Sequence, residues 1–237
     1  ADESPARLVK IHSDDQGRTW SPPVTVVENT GGNNVMSVSL LRLAGGRLAL
    51  FYVFTKSAED CRPYLALSDD DGATWSAPRV LIDCPGYYIL NNDRVIQTSL
   101  GRLVLPMNLH RKAGTRGQTV WYLSDDEGAT WRESDSRWGV AEGRSGLQES
   151  GVVENADSSL FSWSRTDLGA QFEFRSTDHG VTWSAPAPGA LVSPLSPASI
   201  KRLPNSADLI AVYNDHSGRF PFVAGMRTPL AAAISRD

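Results

Sequence analysis

The octapeptide Ser-x-Asp-x-Gly-x-Thr-Trp occurs four times in this chain, and no other feature restricts its fold as much. The copies run from Ser13 to Trp20, Ser68 to Trp75, Ser124 to Trp131 and Ser176 to Trp183, and a fifth opens at Ser235 and Asp237. Their starts are 55, 56, 52 and 59 residues apart. A self-similar period of this length is the mark of a repeat architecture. Asp and Gly are turn formers. Short apolar runs flank each copy, as Tyr64-Leu65-Ala66-Leu67 and Val80-Leu81-Ile82 flank the second. The box therefore reads as a hairpin turn with its Trp packed back on the sheet. Catalytic acids are the competing reading of the four Asp residues, but catalysis needs one site and not four.

Each period has room for about four strands of ordinary length. After the second box come Val80–Ile82, Asp93–Gln97, Leu103–Asn108 and Val120–Ser124, with Leu100-Gly101 parting the middle two. A four-stranded unit of 50-odd residues predicts a propeller blade and an all-β fold. With strands lettered A to D, the chain opens on C and D of one blade. It then runs through three complete blades and closes on A, B and C of another. Both ends fall within a blade, so the expectation is one domain over residues 1–237, spanning about four to five blades of a larger ring.

Composition mainly excludes. The net charge of −4 does not suit a nucleic-acid binder, and no stretch approaches the roughly 20 apolar residues of a membrane helix. The opening ADESPARL lacks the basic and apolar regions of a signal peptide. No metal-ligand spacing and no cofactor motif appears. Cys61 and Cys84 flank the second box at equal distance, which leaves a cross-strand disulfide and two free thiols both open.

Boxes join C to D, so they mark one face of the ring. The starts of A, the ends of B and the starts of C belong to the other, where a propeller gathers side chains from many blades. Those positions carry Asn33 and Asn34; Asn91, Asn92, Asp93 and Arg94; and Gln148 and Glu149. They also carry Lys56, Asp60, Arg62, His110, Arg111, Arg165, Asp215, His216 and Arg227. Arginine, amide, histidine and carboxylate groups on one rim suit a polar, anionic ligand.

The boxes together with Gln148-Glu149-Ser150-Gly151-Val152-Val153-Glu154 and Ser162-Trp163-Ser164-Arg165 resemble the sialidase (neuraminidase) superfamily of Asp-box, or BNR repeat, proteins. The resemblance extends to Arg227-Thr228-Pro229-Leu230 before Ser235, and it covers nearly the whole chain through the boxes. It implies a six-bladed ring and a glycoside hydrolase that releases a terminal acidic sugar. Glu149 would be the base for a tyrosine nucleophile, a phenol too weak to attack unaided at neutral pH. Arg165 and Arg227 would be two of three arginines holding the substrate carboxylate. The third arginine, the acid aspartate and the tyrosine have no counterpart within residues 1–237.

Asn92, Asp93 and Arg94 fall outside the general sialidase pattern. For Asp93 and Arg94, contact with substrate and a salt bridge between blades are both open. His110 is open between a proton carrier, a ligand donor and a plain polar rim residue. Three functions follow: a sialidase-like hydrolase, a hydrolase of another sugar on the same fold, and a carbohydrate-binding propeller without catalysis. The implied partner is a glycan or acidic sugar, which points to a secreted or periplasmic protein.

Overall fold

Between consecutive boxes the chain has residues for four strands, and four form in each interval except the second, where one is split in two. The computed structural model describes residues 4–235, so Asp237 of the fifth box lies outside the described residues. Strands β1 (Leu8–Lys10) and β2 (Val24–Val27) flank the first box. The second blade holds β3 (Asn34–Arg42), β4 (Leu48–Thr55), β5 (Cys61–Ser68) and β6 (Arg79–Val80). The third holds β7 (Tyr87–Ile89), β8 (Ile96–Gln97), β9 (Leu103–His110), β10 (Gly117–Ser124) and β11 (Arg132–Trp138). The fourth holds β12 (Gln148–Glu154), β13 (Leu160–Arg165), β14 (Ala170–Ser176) and β15 (Ala187–Val192). The last has β16 (Ser199–Arg202), β17 (Leu209–Asn214) and β18 (Leu230–Ser235). Within each blade the strands pair antiparallel, each with the next except that β7 and β8 both pair with β9. No helix among the described residues is long and apolar enough to cross a membrane.

Every box closes on itself. In all four, Ser Oγ donates to Asp Oδ1 and receives the Gly N–H, each at 2.8 Å. Asp Oδ1 then takes the Thr N–H at 2.8–2.9 Å. The glycine is required because its φ is 81° to 87°, a left-handed conformation costly for any residue with a Cβ. These bonds hold Asp15, Asp70 and Asp126 down at about 2, because the ionised carboxylate is the better acceptor.

A blade is covered on both faces by its neighbours, so its central strands are buried along nearly their whole length and mostly apolar, as in Leu48–Thr55 and Leu103–His110. The core is accordingly divided among the blade junctions. Phe51, Leu65, Leu105 and Met107 fill the junction of the second and third blades. Trp121, Phe174 and Trp183 fill the next, with the rings of Trp121 and Trp183 stacked 4.4 Å apart. Trp163, Ile200 and Tyr213 fill the last. Radial blades packed face to face are the propeller that the repeat predicted.

Two sequence expectations change in the third blade. Its A strand is not one run over Asp93–Gln97. It is split into β7 and β8, both paired to β9, with residues 90–95 looped out between them. Asn91, Asn92 and Asp93 supply the turn chemistry, and Asp93 takes φ 56°. Cys61 and Cys84 do not face each other. The pairing of β5 with β6 ends at Tyr64↔Val80, and Cys61 instead lies beside Tyr87 of β7 in the single parallel link that joins the two blades. Both cysteines are free thiols, Cys61 buried and Cys84 exposed.

Candidate functional site

Three successive A strands bend at the same place. Ser37, Asp93 and Glu149 lie 56 residues apart and all have positive φ, at 63°, 56° and 49°. Such a conformation is uncommon for non-glycine residues and marks a position that the surroundings impose. In β3 and β12 it falls at a β-bulge, which re-aims one side chain without ending the strand. In the fourth blade the re-aimed residue is Glu149.

Arg165 meets it from the end of the neighbouring strand β13. Its Nη1 lies 3.0 Å from Glu149 Oε1, with both side chains largely buried. Nη2 donates to Gln148 Oε1, and Gln148 Nε2 donates to the Ser145 carbonyl at 3.2 Å. Burial weighs against the Arg165 charge, the Glu149 carboxylate favours it, and the nearby Arg227 guanidinium opposes it. Arg227 is thus within electrostatic reach while its own side chain is exposed. Its backbone is pinned, since Asn214 Nδ2 donates to the Arg227 carbonyl at 2.8 Å. Glu149 Oε2 and Arg165 Nε are buried without a hydrogen-bond partner. Leaving such groups unpaired costs free energy, and native structures tolerate it chiefly where function needs it.

A polar knot that the sequence reading missed supports this pair. Asn108 of β9 donates from Nδ2 to Ser150 Oγ at 2.9 Å and to the Leu147 carbonyl at 3.0 Å. Its Oδ1 accepts the Ser150 N–H at 2.8 Å. Thr119 Oγ1 lies 3.0 Å from Ser150 Oγ and 2.9 Å from Ser164 Oγ, and those two serine oxygens are 2.6 Å apart. All four residues are buried. The knot clamps the residue after Glu149 and the residue before Arg165 to the third blade. An interior Asn within the apolar run Leu103-Val104-Leu105-Pro106-Met107-Asn108-Leu109 was the signal for it.

Arg94 and Asp93 do not pair with each other. Asp93 is exposed and makes an ion pair with Lys201 Nζ at 2.9 Å, so that blade bridge uses Lys201. Arg94 is 3% exposed and turns inward. Its N–H donates to Ser39 Oγ at 2.8 Å, its Nη2 donates to the Ala198 carbonyl at 2.7 Å, and its guanidinium sits 5.4 Å from the Trp163 ring. It therefore touches the second, fourth and fifth blades from the third. Burial weighs against its charge and Glu149 offsets this, while Nε and Nη1 have no partner. Asn92 is exposed, with Oδ1 accepting the Val38 N–H at 3.1 Å.

His110 is buried at the end of β9, with Nδ1 2.6 Å from the Thr115 carbonyl. That contact places the proton on Nδ1 and leaves the unpartnered Nε2 as an acceptor. Burial and the Arg165 charge push the imidazole towards its neutral form. Of the other rim residues, Asp60 pairs with Arg62 at 2.8 Å and Asp215 accepts the Ser217 N–H at 2.8 Å. The loop after β17 adds exposed Phe220, Phe222, Val223 and Met226, with Phe222 stacked on His216 at 4.2 Å. The sequence reading left this aromatic pair out. Among the described residues no cluster of three His, Cys, Asp or Glu side chains is placed to hold a metal ion.

A groove of about 670 Å³ lies elsewhere, at the junction of the last two blades, lined by Phe161, Arg175 and Leu209. The chemistry nevertheless gathers around Glu149, where one carboxylate and three guanidinium groups from separate elements are electrostatically coupled. Such a set can hold an anion and accept a proton.

Comparison with known proteins supports the fold and the repeat. A family model described as a BNR repeat-like domain matches residues 2–237. The anhydrosialidase of Macrobdella decora is 31% identical over 140 residues, which is 53% of this chain and 17% of that protein. The sialidase of Trypanosoma rangeli superposes with a TM-score of 0.74 at 20% identity, over 99% of this chain and 43% of that one. The intramolecular trans-sialidase from Ruminococcus gnavus, solved with oseltamivir carboxylate, gives 0.71 at 14% identity, over 90% of this chain and 71% of that one. A Dyadobacter fermentans protein of unknown function gives 0.71 at 22% identity, over 87% of this chain and 64% of that one. At these identities the structures share the fold. The chain spans less than half of the trypanosomal enzyme and under a fifth of the leech protein.

Proposed function

Because this chain belongs to the BNR repeat-like domain family, we propose that it forms part of a sialidase-like glycoside hydrolase acting on a terminal acidic sugar. The observation that carries this reading is the largely buried Glu149–Arg165 pair at 3.0 Å, with Arg227 close enough to perturb it. Arg227 and Arg165 bind the substrate carboxylate, since guanidinium groups stay charged and pair with carboxylates through two parallel hydrogen bonds. Glu149 accepts the proton of an attacking hydroxyl through Oε2, the oxygen left without a partner. Gln148 and the Asn108 knot hold that geometry before substrate arrives. His110, kept neutral, and Asn92 offer hydrogen bonds on the same rim. Arg94 lies beneath it, and Asp93 ties the rim to the last blade through Lys201. The glycans of such an enzyme lie outside the cytoplasm, so a secreted or periplasmic location belongs to the proposal.

The test is hydrolysis of a fluorogenic sialoside by the protein that carries this chain, native and as Glu149→Gln. The native protein turns over, and the variant loses about 10²- to 10⁴-fold in kcat, the usual share of a general base. An inert native protein would sink the reading. A second reading, carbohydrate binding without turnover, draws on the exposed Phe220 and Phe222 in the loop that carries Arg227. It requires sialoside binding that Phe222→Ala weakens and Glu149→Gln leaves intact.

A further inference from the structure

Beside the Glu149 site, on the same rim of the third blade, lies a groove of about 540 Å³ whose arginines the proposed chemistry does not use. Its sides carry Arg111, Arg116, Gln118 and the edge of His110, facing apolar walls of Pro85 and Val140. Two lining glycines are tightly packed. A Cβ on Gly117 would overlap the Leu147 carbonyl oxygen and lie 2.8 Å from His110 Nε2, and one on Gly86 would lie 2.7 Å from the Tyr88 ring. The backbone therefore fixes the groove's floor against the segment before Glu149 and against β7.

The two arginines are prepared differently. Arg116 is held in place, its Nη2 donating at 2.6 Å to the carbonyls of Val140 and Glu142. Arg111 is exposed and makes no side-chain hydrogen bond or ion pair among the described residues. Neither has a carboxylate among those residues to neutralise it, so both charges are available to a ligand. His110 adds Nε2, a buried acceptor without a partner, at the groove's inner wall. The groove also abuts the segment that leads into Glu149. Gly117 N–H donates to the Ser145 carbonyl at 3.1 Å, and Leu147 N–H donates to the Gly117 carbonyl at 3.0 Å.

We propose that this groove is a second sugar subsite that takes an anionic saccharide unit, carboxylated or sulfated, through Arg111 and Arg116. The apolar walls suit the C–H face of a pyranose, Gln118 and His110 suit its hydroxyls, and the two guanidinium groups suit its anion. Resting on the hydrolase reading, it makes the preferred substrate a glycan with an acidic unit next to the sugar released.

The test needs no turnover. The chain is titrated with lactose 3′-sulfate, with a disialyl disaccharide and with lactose, and binding is followed by calorimetry and by amide NMR shifts at Gly117 and Gln118. At least one acidic probe binds about tenfold more tightly than lactose, and Arg111→Ala weakens that probe severalfold without changing the affinity for lactose. Dependence on Arg111 by one acidic probe alone identifies the anion. Arg116→Lys, which keeps the charge and loses the planar fork, weakens the same probe less than Arg111→Ala does. Equal binding of acidic and neutral probes, or an affinity for every acidic probe that Arg111→Ala leaves unchanged, would overturn the subsite. Turnover of the fluorogenic sialoside reads the Glu149 site and Arg111-dependent probe binding reads the groove, so failure of the hydrolase reading and failure of the subsite are told apart.

Discussion

The two rims of these blades are made from the same strands, yet they satisfy their polar groups in opposite ways. On the box rim each Asp, Ser, Thr and Gly meets its partners within the same eight residues, with nearly the same distances in four copies. Contacts between neighbouring blades there include the half-exposed ion pair Arg47–Glu127 and the donation of Arg102 Nη1 to the His179 carbonyl at 3.1 Å. On the other rim partners lie far apart in sequence. Arg94 reaches Ala198 and Asn108 reaches Ser150, while Glu149, Arg165, Arg94 and His110 each retain a buried atom with no partner. A rim that is locally complete is a fastening. One that is complete only through distant partners, and then with atoms left over, is prepared for something else.

That contrast can be broken, most severely at the boxes. Trp183 is 4% exposed and stacked on Trp121, whereas Trp20 is 59% exposed. Trp183→Ala is expected to cost about 3–5 kcal/mol, and Trp20→Ala under about 1 kcal/mol. Urea unfolding compares them. Equal costs would mean that the box Trp does not act by filling a blade junction.

On the opposite rim, Arg165→Met leaves the Glu149 carboxylate largely buried without its cation. A loss of about 3 kcal/mol is expected, with most of it recovered in the Glu149→Gln/Arg165→Met double variant. If the double variant is no more stable than the single one, the pair is not coupled as its geometry implies. Asn108→Ala, which strands the Ser150 N–H, should cost about 1–3 kcal/mol. Hydrogen exchange at Ser150 should quicken with it, while exchange at Gly128 in the third box stays unchanged. Faster exchange at both would dissolve the distinction between the rims.

The smallest effect concerns acid. Asp15, Asp70 and Asp126 sit at about 2 against an ordinary 3.8, so as the pH falls the unfolded chain binds their protons first. Their share of stability is therefore fully present above about pH 4 and is lost as the pH falls through 2. Thermal unfolding followed from neutral pH down to about 2 should show this loss at the acid end, and Asp126→Asn should remove part of it. An unchanged slope in that variant would mean the box carboxylates are not what the acid limb reports.

Much of this was legible in the chain, for reasons that differ by residue. The boxes could be read because each is a turn whose chemistry is complete in eight consecutive residues. Glu149 and Arg165 could be placed on one rim because strand alternation and the repeat put the start of A beside the end of B, and Gln148↔Arg165 do pair. The common positive φ of Ser37, Asp93 and Glu149 left a trace in the 56-residue spacing, but no local propensity announces a bulge at a Ser or a Glu. The split A strand of the third blade escaped because β7 is held by Cys61 and His110, neither adjacent to it in sequence.

Arg94 shows the limit most clearly. Read as a sequence it is a charged residue in an Asn- and Asp-rich turn, equally fit for substrate or for its neighbour Asp93. Folded, it lies under the rim against Trp163 and Ala198, and Asp93 belongs to Lys201. The chain by itself determined the repeat, the blades and which residues share a rim, because those follow from turn chemistry and the two-residue period of strands. Only the tertiary structure decided which rim side chains are buried, which are paired and which keep a free atom. Those outcomes depend on distances between blades, and on the cost of removing charge from water at each place.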